Sequence, residues 1–233
     1  MGAMNILALE TSSEQASVAV LQAGDVRTRT LAAGAANHSE QILDALHAVL
    51  EEVGLKLGRL DAVAFGSGPG AFTGLRLGCS VAQGLAMGAG LGVVAIPSLH
   101  ALGAQAPDGL AVVATDARMG EIYTARYRVE SERPVMLGDF SCIPPERFEM
   151  PAEGQWHALG SAFARYPELA ERARKHGFAV NESALPRAVE IARLAALEVA
   201  AGRLIAPEEA VPLYVRDKVA QTTAERLAQG GRA

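Results

Sequence analysis

The chain has 233 residues, half of them apolar, with a net charge of −5 and an isoelectric point near 5.6. That length builds one large domain or two small lobes with a real core, and the composition excludes a largely disordered chain. An acidic chain of this kind does not grip RNA by itself and touches it through a local patch or a partner. In chain order, residues 5–11 predict an apolar strand, "TSSEQ" a polar turn, 16–22 an alternating strand, and 26–31 a third strand after "AGD". Ile42, Leu43, Leu46, Val49, Leu50 and Val53 then fall at helical spacing on one face. Asn37 with Glu40 resembles a capping box, and Gly54 marks a stop. "LDAVAFGSG" predicts a buried strand, 73–87 a helix, and "GVVAIPS" a strand that Pro97 ends.

A second beginning appears at residue 109. "GLAVVATDARMGEIYTARYRV" is again an apolar strand, a polar turn with an acid, and an alternating strand. "PVMLGDFSCI" predicts one further strand, then follow "WHALGS", a helix over 167–175 and a strong helix over "AVEIARLAALEVAAG". Laid over the opening, Glu10 of "ALETS" meets Asp116 of "VATDAR". The pattern predicts a weak internal duplication of two α/β lobes, 4–103 and 104–233, with the boundary near 98–108. The tail predicts a short extended piece and a final helix that packs back on the first lobe.

The stretch "GSGPGAFTGLRLG", residues 66–78, poses the sharpest question. It lacks the lysine of a phosphate-binding GxxxxGK[ST] loop. Gly66, Gly68 and Ala71 fit GxGxx[GA], but no acid follows about 20 residues on to hold a ribose. Within the next helix, Gly74 and Gly78 are four apart, as are Gly84 and Gly88, among the small residues Ser80, Ala82 and Ala86. Each such glycine costs roughly 1 kcal/mol relative to alanine, so another backbone is expected close by. It belongs either to the same lobe or to a second chain.

Other chemistries find little support. An acid in each lobe, here Glu10 and Asp116, would face nucleotide phosphates in an actin-like ATPase or sugar kinase. Both residue types also cap turns, and "ALGSA" is a thin candidate for the adenosine loop of the second lobe. His38 lacks a histidine one turn on, because position 42 is Ile42. It is expected to cap its helix or to sit at an interface, and no metal is expected. GxSxG is absent, and Ser67 has no base close in sequence. Cys79 and Cys142 form no CxxC, so two free thiols in a reducing cytoplasm are expected. No apolar run reaches the about 18 residues of a membrane span, and no secretory leader is apparent. Residues 1–3 ahead of Met4 read as a cloning remnant.

"ILALETSS", "NHSEQIL", "GSGPGAFTGLRLG", "TDARMGEIY" and "PLYVRD", in this order, resemble the bacterial TsaB (YeaZ) family over nearly the whole chain. The resemblance implies an actin-like ATPase (ASKHA, ribonuclease H-like) fold with two duplicated lobes. It implies a non-catalytic scaffold in forming N6-threonylcarbamoyladenosine at position 37 of tRNA. Such a scaffold pairs with the catalytic paralogue TsaD, recruits the ATPase TsaE, and also forms homodimers. It meets tRNA only through the complex, and nucleotide binds only at a shared interface. The paralogue's metal-binding HxxxH is broken here at Ile42. Although the family has carried a glycoprotease label, nothing in the sequence supports proteolysis. The pairing surface is expected on the two helices of the first lobe, at Leu43, Leu46, Leu50, Leu75, Gly78, Cys79, Ala82 and Leu85. Glu10, Thr11, Gly68, Pro69, Gly70, Asp116 and Arg118 form a vestigial phosphate site or a loop for the third component. The rival readings are a small-molecule kinase or ATPase of the same superfold, which would bind ATP alone, and a metalloprotease, which would bind metal.

Overall fold

The computed structural model describes residues 4–32, 35–151 and 154–216. The chain opens with an antiparallel meander, β1 (Asn5–Glu10), β2 (Ser17–Gln22) and β3 (Asp25–Thr30). Helix α1 (Ala35–Glu52) follows, then β4 (Ala62–Gly68), α2 (Phe72–Ala89) and β5 (Gly92–Pro97). β4 and β5 run parallel to β1, giving the sheet order β3-β2-β1-β4-β5. "NILALE" reads as a continuous apolar run because both faces of this sheet are covered. Leu7 and Leu9 face α1 and α2, among Ile42, Leu46, Val49, Cys79 and Ala82. Ile6 and Ala8 face the other way, onto Ala188, Ile191, Ala192 and Ala195. Those last four belong to α6 (Ala188–Ala200), so the first lobe takes a helix from late in the chain.

After α3 (Ser98–Gly103) the pattern repeats. β6 (Gly109–Arg118) and β7 (Glu121–Glu130) form a hairpin, and β8 (Arg133–Met136) and β9 (Ser141–Ile143) both pair with β7. β10 (Trp156–Leu159) runs parallel to β6, and β11 (Ala179–Asn181) parallel to β10. The order β11-β10-β6-β7-β8 is the first sheet's topology again, with β6 in the place of β1. This is the duplicated actin-like fold. α3 covers one face through Leu99 and Leu102. α4 (Ser161–Arg165) and α5 (Pro167–Lys175) cover the other through Phe163, Leu169 and Ala173.

Two expectations need correction, and a third falls outside the described residues. "PVMLGDFSCI" is two short strands, because Gly138 turns between them at a φ of 96°. α1 begins at Ala35, before Asn37, whose side chain lies outside the described residues along with the capping contact expected of it. The final helix expected beyond residue 216 likewise lies outside them.

Candidate functional site

All five glycines of "GSGPGAFTGLRLG" sit where the chain passes close to itself. A Cβ on Gly70 would lie 2.5 Å from the Ser12 carbonyl oxygen, one on Gly74 2.0 Å from that of Thr11, and one on Gly78 2.5 Å from Thr11 Oγ1. The turn after β1 is docked on the start of α2. Thr11 Oγ1 donates to the Gly74 carbonyl at 2.7 Å, and the Ala71 amide donates to that of Ser12 at 2.8 Å. Gly66 makes room for the Glu10 carboxylate, and Gly68, at a φ of 114°, meets the Leu213 carbonyl. The stretch therefore cradles its own backbone. Of the two origins expected for a close neighbour, Gly74 and Gly78 take the one within the lobe. Among the described residues nothing lies within 4 Å of a Cβ added at Gly84 or Gly88, and both face outward.

Between the lobes lies a cleft of about 410 Å³. Its walls come from the β1 turn, the start of α2, the β6–β7 turn and residues 213–216. Of the seven loop residues expected there, Pro69, Gly70, Asp116 and Arg118 line it, whereas Glu10, Thr11 and Gly68 do not. Asp116 is already engaged: its Oδ1 accepts from the Arg118 amide at 3.0 Å and the Tyr166 hydroxyl at 3.3 Å. The two acids that align in sequence do not share a site.

Glu10 is fully buried; its Oε1 accepts from the Ser12 amide at 2.6 Å and its Oε2 has no partner. Burial pushes its carboxyl above the ordinary 4.5, and the hydrogen bonds from Ser12 only partly oppose this. The folded state then holds this proton more tightly than the unfolded state. The group costs stability as pH rises from 4.5 through its folded value, and the cost stays constant above that. Glu10→Gln keeps the Oε1 acceptor and removes the ionisation. Urea unfolding from about pH 4 to about pH 8 should show this variant gaining on the parent as pH rises. A constant difference across that range would contradict a raised Glu10.

His38 is neither a cap nor an exposed interface residue. It is buried one turn before the core residue Ile42, and its Nε2 has no hydrogen-bond partner among the described residues. Among the described residues no three His, Cys, Asp or Glu side chains stand together as metal ligands. Both cysteines are free, Cys79 buried and Cys142 partly so.

α1 and α2 lie side by side on the first sheet. Of the eight residues expected on their pairing face, Leu46, Leu75, Gly78, Cys79 and Ala82 are buried inside the lobe. Large apolar side chains mark the face of a helix that its own sheet claims. Leu43 is 57% exposed, and Leu50 and Leu85 are partly exposed. Met87, 64% exposed, belongs to this outer surface and was not expected there, and Leu77 and Val81, partly exposed and partly packed against the core, border it. The signal that finds them is helical spacing about Gly84: positions 77, 81, 84 and 88 share one stripe.

The comparisons with known proteins agree with this geometry. A family model described as "TsaD: tRNA N6-adenosine threonylcarbamoyltransferase" matches residues 32–224. The "tRNA threonylcarbamoyladenosine biosynthesis protein TsaB" of Haemophilus influenzae is 34% identical over 93% of this chain and 95% of its own length. The protein of the same name from Escherichia coli is 34% identical over 93% and 96%. The solved structure of YeaZ from Pseudomonas aeruginosa superposes with a TM-score of 0.80 at 31% identity, covering 91% of this chain and 99% of that one. With two repeated sheets, a glycine stretch that holds its own backbone, and relatives of this likeness over nearly their full length, the chain belongs to the TsaB (YeaZ) family, within the wider group that the TsaD model describes.

Proposed function

We propose that the chain is a non-catalytic partner subunit in the formation of N6-threonylcarbamoyladenosine in tRNA. It pairs through the outer faces of α1 and α2 with a TsaD-type transferase. One observation carries the pairing: α2 has 18 residues and a single charged one, Arg76. A helix lying on a sheet is ordinarily charged on its far side. Here, past Arg76, the far side offers Ser80, Gly84, Met87 and Gly88, with the partly buried Leu77 and Val81 along its edge and Leu43 beside it. Small residues along such a stripe let a second pair of helices approach closely, giving a four-helix contact. A second copy of the chain competes for the same face. The interlobe cleft, with Pro69, Gly70 and Arg118 on it, is assigned to the third component, the ATPase TsaE.

The placement of Glu10 behind the glycine stretch supports the non-catalytic reading over a kinase. It withdraws from the cleft the acid that aligns with Asp116, and the first-lobe carboxylate on the cleft wall is instead the exposed Glu14 of the β1 turn. The acidic net charge suits a subunit whose partner presents the basic surface to tRNA. The test is a reconstitution with the transferase and the ATPase. Omitting this chain should abolish modification of tRNA, and Arg118→Ala should weaken binding of the ATPase component by about tenfold, as loss of one charged contact does. Full modification without the chain would overturn the reading.

A further inference from the structure

The segment that ends the described chain crosses from one lobe to the other. Its first half is fastened to the first lobe. Cys79 Sγ and Gln83 Nε2 reach the Ala210 carbonyl at 3.3 and 3.1 Å, and the Leu213 amide donates to the Ser67 carbonyl at 2.8 Å. Tyr214 packs on Phe72 with ring centres 5.7 Å apart, and Arg76 lies 3.8 Å over the same Phe72 ring. The next two residues belong to the second lobe, Val215 partly buried against its core and Arg216 on the β6–β7 turn.

That turn is conformationally expensive. Arg118 and Met119 both have positive φ, 60° and 55°, ahead of Gly120 at 76°. Side-chain-bearing residues in this region cost of order 1 kcal/mol each, so the surroundings must hold them. Arg216 does so from inside. Its Nη2 donates to the carbonyls of Ala117 at 3.0 Å and Arg118 at 3.2 Å and pairs with the Glu121 carboxylate at 2.5 Å. Nη1 lies 3.5 Å from Met119 Sδ. The Arg216 side chain is 15% exposed, whereas Met119 at the tip is 76% exposed.

We propose that residues 210–216 form an interlobe strap in which Arg216 is a positioning residue. It fixes the strained Arg118–Met119 tip relative to Phe72 and Tyr214, so that the rim of the cleft is preassembled before a partner protein docks. This deepens the assignment of the cleft to a third component and rests on it. A rim spanning two lobes ordinarily loses affinity to hinge motion, and a strap anchored on both sides removes that loss.

The test is hydrogen exchange on the full chain, with Arg216→Gln breaking the clasp from the strap and Glu121→Gln breaking it from the hairpin. In both variants the amides of residues 117–121 should exchange about 10-fold faster or more, while those of β1 and β4 keep their rates. Arg216→Lys, which retains the charge but not the fork, should fall between. Binding of the ATPase component should weaken about tenfold in Arg216→Gln, with pairing to the transferase unchanged. The strap is overturned if exchange at 117–121 stays at the parent rate in both Gln variants. Uniform acceleration across both lobes would equally overturn it, because that is general destabilisation. If the local loosening appears but the ATPase component binds as before, the preassembled rim is wrong. A transferase that never pairs, even with the parent chain, counts against the subunit reading instead.

Discussion

Gly74→Ala will destabilise the protein by about 2–3 kcal/mol, although alanine ordinarily gains roughly 1 kcal/mol over glycine inside a helix. The sign reverses because the added methyl would stand 2.0 Å from the Thr11 carbonyl oxygen, which is backbone. That oxygen has nowhere to go. The same turn is bound to α2 by the Thr11 hydroxyl and by the Ala71 amide, so relief requires α2 to lift from β1 and open the core around Leu9 and Cys79. Gly84→Ala is the matched control, in the same helix with nothing within 4 Å. It should gain about 0.5–1 kcal/mol. Urea denaturation of the two variants checks the pair. Equal effects would show that the glycine stretch is not shaped by close packing on the β1 turn.

The second large effect falls on assembly rather than on folding. Leu43→Glu and Met87→Lys, each alone, should weaken pairing with the transferase by about 100-fold or more, as buried interface anchors do. Their own stability should change by no more than about 0.5 kcal/mol, because both side chains are mostly exposed in the single chain. Lysine in the last turn of α2 suits the helix dipole, and position 43, midway along α1, lies beyond the turn where the dipole acts, so neither charge penalises its helix. Calorimetric titration with the transferase, alongside thermal melts, separates the two quantities. Unchanged affinity in both variants would move the pairing surface elsewhere.

Much of the fold was legible because the strands carry their own signals. The apolar run of β1, the alternation of β2 and the turn chemistry of "AGD" locate the first meander, and the same pattern at residue 109 announces the second lobe. The alignment of Glu10 with Asp116 is a true topological correspondence, since β6 occupies the place of β1. α3 and α4, with six and five residues, are too short for a helical period to show. β11, with three residues, is likewise too short to announce itself.

The site was less legible. Choosing pairing residues by hydrophobicity selected Leu46, Leu75, Cys79 and Ala82, which the sheet beneath had already claimed. Hydrophobicity reports burial, and a single chain buries its own core first. The outward stripe shows instead as a missing charge pattern along α2. Glu10 was misplaced for a related reason. Its position at the end of β1 fits a phosphate-facing acid, but only the three-dimensional path of residues 66–70 reveals that Gly66 makes room for it behind the loop. Arg216 stands within "PLYVRD", but its contacts were not legible there, because its partners lie about a hundred positions earlier in the chain.

The most direct measurement is light scattering on a sizing column, with the chain alone and mixed with the TsaD-type transferase of its own organism. Pairing through α1 and α2 predicts a single new species with the summed mass of one copy of each, formed at the expense of any homodimer because both use the same face. Two proteins that elute at their separate masses, or a homodimer that persists with the transferase bound to it, would contradict a shared pairing face and with it the proposed role of this subunit.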